Sequence, residues 1–497
     1  VLDGMVTMGT LSQAERDALT FPQFYPYEVP DTYAGPQGYL MDMVRRELTD
    51  QAGLSEQAVG TAGLRVTTTI NKAWQDATVA AAQDLPEDTP EGLHVAVVSI
   101  DPATGAIRAL YGGPDYTVRQ QNAATQDIAQ AGSTFKPITL AAALESGVSL
   151  DQTFSGASPI EIGDWKVQNS GNASYGQITL LKATQSSVNT VYAQLNEQVG
   201  PAATLSAAIG AGIPADAAGL ENDITNVLGT ASPHPIDMAR VYATFAAQGV
   251  KHQTYIVEQA VKPDGEVFYA GQSEGERVFS QDSMAELTYA LTQVVQHGTG
   301  TAVAELGRPA AGKTGTSEKN QSAWFCGYTP QLATAVAFYQ EGPNGEVVPL
   351  TPFGEDAVIQ GGGPPARMWL AVMQAEMDGL PVEEFPERPA DRAQPSTTPS
   401  EEPSPSEEPS PSEEPSPSEV PSPTAEPSPS ATPTTAPTPT TAPTPTATET
   451  TATPPPDPSP SQTATPSPTE SPPDPSESPG PSPATPTAST TPPEGAP

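Results

Sequence analysis

The 497-residue chain has one cysteine, few basic residues and no long apolar run, and each shortage excludes a class of protein. A lone thiol, Cys326, cannot close an intrachain disulfide, and its flanks Trp324-Phe325 and Gly327-Tyr328 predict a buried strand in which it serves as a small core hydrophobe. Twenty Lys and Arg face 59 Asp and Glu. No basic run interrupts that excess, so phosphate backbones and anionic headgroups are repelled and nucleic acid is excluded as a partner. No segment approaches the roughly 18 consecutive apolar residues of a membrane helix. The first residue is Val1 instead of Met, so a signal or anchor helix is expected in a part upstream of this chain. His94, His234, His252 and His297 lack metal-ligand spacing, and neither a metal nor a cofactor is expected.

What the chain has in excess is proline, 59 residues, concentrated at one end. From Ala393 on, Ser-Glu-Glu-Pro-Ser-Pro repeats give way to Thr-Pro-Thr-Ala runs. Such composition cannot bury enough apolar surface to offset chain entropy, so 388–497 is expected to be a disordered, Pro/Ser/Thr-rich spacer rich in polyproline II. Fourteen acids lie beyond Arg392, the last basic residue, which leaves 45 acids against 20 bases in the rest.

Ahead of the tail, the pattern from Val1 to Leu19 predicts one or two helices, ending before Phe21-Pro22. Helices are expected at 39–51 and 73–83, with a strand at 64–70 between them and a Pro- and acid-rich joint at 84–92. Strands at 94–100 and 106–111 open the main domain as a hairpin. Helical patterns fill most of 133–248, a second hairpin surrounds Lys262-Pro263-Asp264-Gly265, and a helix covers 281–296. Strands return at 311–316, 323–328 and 333–339 before a helix at 366–377. Strands at both ends with a helical insertion between them argue for an α+β fold, an antiparallel sheet covered by helices with an inserted helical subdomain.

Three short groups carry chemistry. Ser133-Thr134-Phe135-Lys136 precedes Pro137, and proline is tolerated only in a helix's first turn, so Ser133 belongs at a helix tip with unpaired N–H groups around its hydroxyl. The spacing of three brings the Lys136 amine to the same side. Ser187-Val188-Asn189 makes sense as a short turn between helices, because residues two apart on a helix face apart. Lys313-Thr314-Gly315-Thr316 reads as an edge strand able to pair with an extended peptide. Its period of two puts the Thr314 and Thr316 hydroxyls on one face, where they could hold a carboxylate, while Gly315 is expected to let a substrate backbone come close.

Ser-x-x-Lys, Ser-x-Asn and Lys-Thr-Gly in this order resemble the penicillin-binding proteins and serine β-lactamases. Gln168-Asn169-Ser170-Gly171-Asn172 with Ser174-Tyr175-Gly176, and Ala323-Trp324-Phe325 with Gly327-Tyr328-Thr329-Pro330, are similar to the transpeptidase domain of class A penicillin-binding proteins. The resemblance implies a C-terminal remnant of a glycosyltransferase domain at 1–30, an interdomain linker at 31–92 and a penicillin-binding domain at 93–387. It further implies a serine acyl-transferase that cross-links peptidoglycan stem peptides and is acylated by β-lactam antibiotics. Ser133 would be the nucleophile, Lys136 its proton acceptor, Ser187 a proton relay, Asn189 a positioning group and Lys313 a neighbouring cation that, with burial, depresses the Lys136 pKa. Backbone N–H groups of Ser133 and Thr316 would form the oxyanion hole. The implied place is the extracytoplasmic face of the cell membrane, with the division and elongation machineries as candidate partners. The glycosyltransferase's catalytic carboxylates would lie upstream of Val1. Ser322 stands where many relatives have an acidic or amide residue, which bears on substrate preference.

A D-Ala-D-Ala carboxypeptidase and a penicillin-binding sensor that never turns over share these motifs. A class A β-lactamase is disfavoured because the second triplet is Ser-Val-Asn, not Ser-Asp-Asn. Gly271-Gln272-Ser273-Glu274-Gly275 matches a hydrolase nucleophile elbow, but Glu276-Arg277-Val278-Phe279 does not continue as a helix, and a hairpin end is expected there.

Overall fold

The structure, a computed structural model, describes residues 2–19 and 31–390. Strands β1 (Leu93–Ile100), β2 (Ile107–Tyr111), β3 (Ala311–Thr316), β4 (Ser322–Tyr328) and β5 (Ala333–Glu341) pair antiparallel in the order β3-β4-β5-β1-β2. A short β6 (Val347–Val348) adds to the end of β5. β3 is therefore an edge, as its sequence predicts.

Period two divides the side chains of this sheet between two cores. Trp324, Cys326, Tyr328, Ala96 and Val98 face one, which also takes Leu140 and Leu144 of α2 (Lys136–Glu145), Phe245 of α4 (Pro235–Ala246) and Leu287 of α5 (Gln281–His297). Phe325, Val97, Val336 and Phe338 face the other, with Trp369 and Val372 of α6 (Pro364–Glu376) and Ala82 of α1 (Lys72–Gln83). All seven residues of β4 are consequently buried, Cys326 among them, and burial pushes its thiol's pKa up. The Trp369 ring meets Phe325 edge-on at 5.3 Å.

The insertion between β2 and β3 is less helical than expected. Besides α3 (Asn189–Val199) and the helix Pro201–Ala211 it holds two ladders, Thr153–Ser155 with Gln177–Thr179 and Ile160–Ile162 with Trp165–Val167. Three-residue strands are too short for a period to register in sequence. The hairpin around Lys262–Gly265 is present, Val257–Val261 against Val267–Ala270, and Arg65–Thr68 adds a third strand. Leu2–Thr7 and Gln13–Ala18 are the two terminal helices; the second starts at a capping box made by Ser12 and Glu15.

At the other end, Arg388 does not behave as spacer. Its guanidinium meets the fully buried Glu286 carboxylate at 2.8 Å and Asp151 at 3.4 Å, and it lies 5.2 Å from the Tyr289 ring centroid. Arg388, at the start of the expected tail, is thus held by contacts with Glu286, Asp151 and Tyr289. From 391 on, the expected tail lies outside the described residues.

Glu376, at the end of α6, is fully buried and accepts hydrogen bonds from Ser99 Oγ at 3.0 Å and Thr78 Oγ1 at 3.2 Å. Burial outweighs both bonds and pushes its pKa up to about 8. An acid whose folded pKa lies above its unfolded value binds more protons in the native state. Its contribution is complete below the unfolded pKa and is lost as pH rises toward about 8. Between those limits it should erode stability by about 1.4 kcal/mol per pH unit. Glu376→Gln is expected to flatten that slope in urea unfolding measured from pH 5 to 8; an unchanged slope would show that Glu376 ionises normally.

Candidate active site

Three distant segments converge on one cleft of about 670 Å³, whose walls include Ser133, Ser187, Asn189, Thr314 and Thr316. Ser133 lies in the 3-10 turn Gly132–Phe135, which runs directly into α2, and Pro137 occupies the first turn of that helix as predicted. Ser187 sits in the turn between helix Leu180–Gln185 and α3, and Asn189 is the first residue of α3. The φ of Ser187, +54°, is a left-handed conformation costly for serine. Thr184 and Ala183 carbonyls, accepting from Ser187 N at 3.2 Å and Val188 N at 2.9 Å, hold that turn.

Two lysine amines meet at the Ser187 hydroxyl. Lys136 Nζ donates to Asn189 Oδ1 at 2.6 Å, Ser187 O at 2.7 Å and Ser187 Oγ at 3.2 Å. Lys313 Nζ approaches the same Oγ at 2.9 Å and also donates to Thr314 O at 2.9 Å. Both lysines are fully buried, and among the described residues neither forms an ion pair. Burial, helped by the nearby Lys313 charge, holds the Lys136 amine well below the usual lysine range. Burial alone brings Lys313 down to about 7. Burial thus favours the neutral form of the Lys136 amine. Asn189 is fixed in turn: its Nδ2 donates to Gln168 O at 2.8 Å, within the predicted Gln168–Asn172 segment.

On β3, Thr314 and Thr316 share a face and Lys313 points to the opposite one, where α2 packs. Sequence reasoning missed Thr299, whose Oγ1 lies 2.6 Å from Thr314 Oγ1, and the run Gly361-Gly362-Gly363, whose first N–H donates to Thr316 Oγ1 at 3.2 Å. The flanking glycines of Gly298-Thr299-Gly300 and the glycine triplet were the available signals.

Gly315 has a packing reason for being glycine. A Cβ there would lie 2.7 Å from Thr134 Cγ2 and 2.8 Å from Ala131 O, in the turn that carries Ser133. A Cβ on Gly361, on the other face, would come within 2.5 Å of Gly315 O. β3 and the Ser133 turn thus approach each other closely at Gly315. Elsewhere the hydrolase-like motif proves structural: Ser273 Oγ accepts from Gln253 N at 2.7 Å, and only the two-residue strand Glu276–Arg277 follows.

Comparison with known proteins decides the family. The description "penicillin binding protein transpeptidase domain" matches residues 95–347, half of the chain. The chain belongs to the penicillin-binding protein transpeptidase family. It is 37% identical over 418 residues to penicillin-binding protein 1A of Mycolicibacterium smegmatis, an alignment that covers 78% of this chain and 51% of that protein. The chain spans about half the length of such curated relatives. Among solved structures, the PonA1 protein of Mycobacterium tuberculosis in complex with penicillin V superposes with a TM-score of 0.65 at 32% identity, covering 71% of this chain and 96% of that one. Penicillin-binding protein 1A of Haemophilus influenzae, 20% identical, shares the fold with a TM-score of 0.62 over 78% of this chain and 77% of that one. In this transpeptidase domain no described helix is long and apolar enough to cross a membrane.

The contact at Gly315 generates a prediction. Gly315→Ala should force the Ser133 turn away from β3, cost about 1–3 kcal/mol of stability and slow penicillin acylation by about tenfold or more. Time-resolved intact-mass measurement of the penicillin adduct checks this, and acylation at the parent rate would mean that the turn has room to move.

Proposed function

We propose that this chain is a serine D,D-transpeptidase that cross-links peptidoglycan stem peptides through an acyl-enzyme on Ser133. The observation that carries the reading is the pair of buried lysine amines, without an ion pair among the described residues, around the Ser187 hydroxyl in the cleft that Ser133 lines. Lys136 takes the Ser133 proton as Oγ bonds to the penultimate D-alanine carbonyl carbon. The Ser133 and Thr316 backbone N–H groups receive the developing oxyanion. The peptide C–N bond then breaks, and Ser187, bonded to both lysines, hands a proton to the departing D-alanine amine. An amine of a second stem peptide next attacks the ester carbonyl, forms the cross-link and returns the proton to Ser133.

Thr314, Thr316 and Thr299 offer hydroxyls to the substrate's terminal carboxylate, with Lys313 behind them as the charge that favours an anion. Penicillin, a shape mimic of D-alanyl-D-alanine, acylates the same serine. A stem-peptide substrate puts the site of action at the outer face of the cell membrane.

Incubating the purified chain with a stem pentapeptide and an amine acceptor tests the reaction: cross-linked product and free D-alanine are expected. Free acid alone would make it a carboxypeptidase, and a penicillin adduct without turnover would make it a sensor. Ser133→Ala should remove both the adduct and the product, a loss of roughly a millionfold in rate; labelling that persists would place the nucleophile elsewhere. A second expectation concerns pH. Because the reactive Lys136 is the neutral form, the acylation rate should rise with pH through its depressed pKa and fall in acid. Lys313→Met removes the cation that helps depress it, so the acid limb of the pH–rate profile should move to higher pH. A limb that stays in place would separate the two amines electrostatically.

A further inference from the structure

The chain reaches Ser133 through Gln130, whose carbonyl accepts two side-chain hydrogen bonds from β4. Ser322 Oγ donates at 2.6 Å and Trp324 Nε1 at 2.9 Å, and both side chains are fully buried. A carbonyl has two lone pairs, and here each meets a fixed donor. The following residues are held from the opposite side, Ala131 N to Ala231 O at 2.9 Å and Gly132 N to Gly229 O at 3.1 Å. Four bonds in three residues leave the approach to the nucleophile little freedom.

Ser322 also reaches the other way. Its N–H donates to Ser317 Oγ at 2.8 Å, and its carbonyl accepts from Ser317 N at 3.1 Å. Ser317 directly follows Thr316 and lines the cleft. One buried serine therefore ties the segment three residues before Ser133 to the residue after Thr316. The two segments already touch: a Cβ on Gly132 would lie 2.7 Å from Thr316 O.

We infer that Ser322, with Trp324 beside it, is a positioning residue for acyl transfer that sets the spacing between the Ser133 and Thr316 backbone N–H groups. The inference rests on the serine acyl-transfer reading above. Donors that serve an oxyanion act on the transition state, where charge develops on the substrate oxygen, and much less on the ground-state complex. Losing the Ser322 hydroxyl should therefore lower the rate of the chemical step and leave non-covalent binding alone.

The experiment compares the parent chain with Ser322→Ala and with Ser322→Thr, which keeps a hydroxyl. Penicillin acylation is resolved into a non-covalent dissociation constant and a first-order acylation constant. Affinity is measured for an alkyl boronic acid, which adds to the serine as a tetrahedral anion, and the thermal midpoint is recorded alongside. For Ser322→Ala the acylation constant is expected to fall by about tenfold to a hundredfold. Boronate affinity should fall by a similar factor while non-covalent penicillin affinity holds, and Ser322→Thr should recover most of the loss. Equal losses in non-covalent affinity and rate, or a lowered midpoint with an unchanged acylation constant, would overturn the inference. So would failure of the threonine variant to recover boronate affinity at a parental midpoint. A parent chain that takes no label on Ser133 would instead refute the acyl-transfer reading, and this inference with it.

Discussion

Everything in the site follows from the burial of two amines of like sign around one hydroxyl. Taking an ammonium out of water costs several kcal/mol even after relaxation, and a partner carboxylate normally offsets that cost. Two buried carboxylates follow the same rule with the signs exchanged: Asp127 meets Arg119 at 2.9 Å, and Asp42 is held by Arg45 at 2.6 Å and Arg46 at 2.7 Å. Lys136 and Lys313 instead share neutral oxygens of Ser187, Asn189 and Thr314. The strain is relieved by giving up a proton, which is the form a general base requires. The rest of the fold must supply the stability that such an arrangement forgoes, and the two cores on either face of the sheet are where it lies.

Holding the amines in place demands that three segments keep their spacing without a strong ionic clamp. Close backbone contact does this. Gly315 lets β3 touch the Ser133 turn at Thr134 and Ala131, and Gly361 lets the 360–363 loop touch Gly315. The stack is thin and stiff, because van der Waals contacts between backbones cannot shift without moving a whole strand or turn. Sheet and helix thus act as one body on which the hydroxyl, the amines and the threonines are mounted.

Much of this was legible in the sequence, and the parts that were not have a common cause. Pro137 fixed Ser133 at a helix tip, period two separated Thr314 and Thr316 from Lys313, and turn chemistry located Ser187 between helices, all from local rules. The short ladders at 153–179 escaped notice because three residues carry no measurable alternation. Thr299 and the glycines at 361–363 escaped because their importance lies in what touches them across the fold, and one sequence does not record contacts. The contact of Gly315 with the Ser133 turn escaped for the same reason: the need for a missing side chain was visible, but this neighbour was not. Arg388 stands where the proline-rich composition begins, and its contacts with two acids and an aromatic ring lie far off in the sequence, where local rules do not reach.

The buried acid on the far face completes the electrostatic argument. Glu376 is fully buried, as the lysines are, and it too rests on neutral hydroxyls, those of Ser99 and Thr78. A carboxylate and an ammonium in one interior would lower their joint cost by pairing, but here the sheet stands between them: Glu376 packs on the face of Phe325 and Phe338, the lysines on the face of Trp324 and Cys326. Pairing would restore the Lys136 charge and raise its pKa, which would remove the base. Each group instead rests on neutral oxygens on its own face of the sheet. Burial beside a second amine, with no ion pair among the described residues, is what holds the Lys136 amine below the usual lysine range.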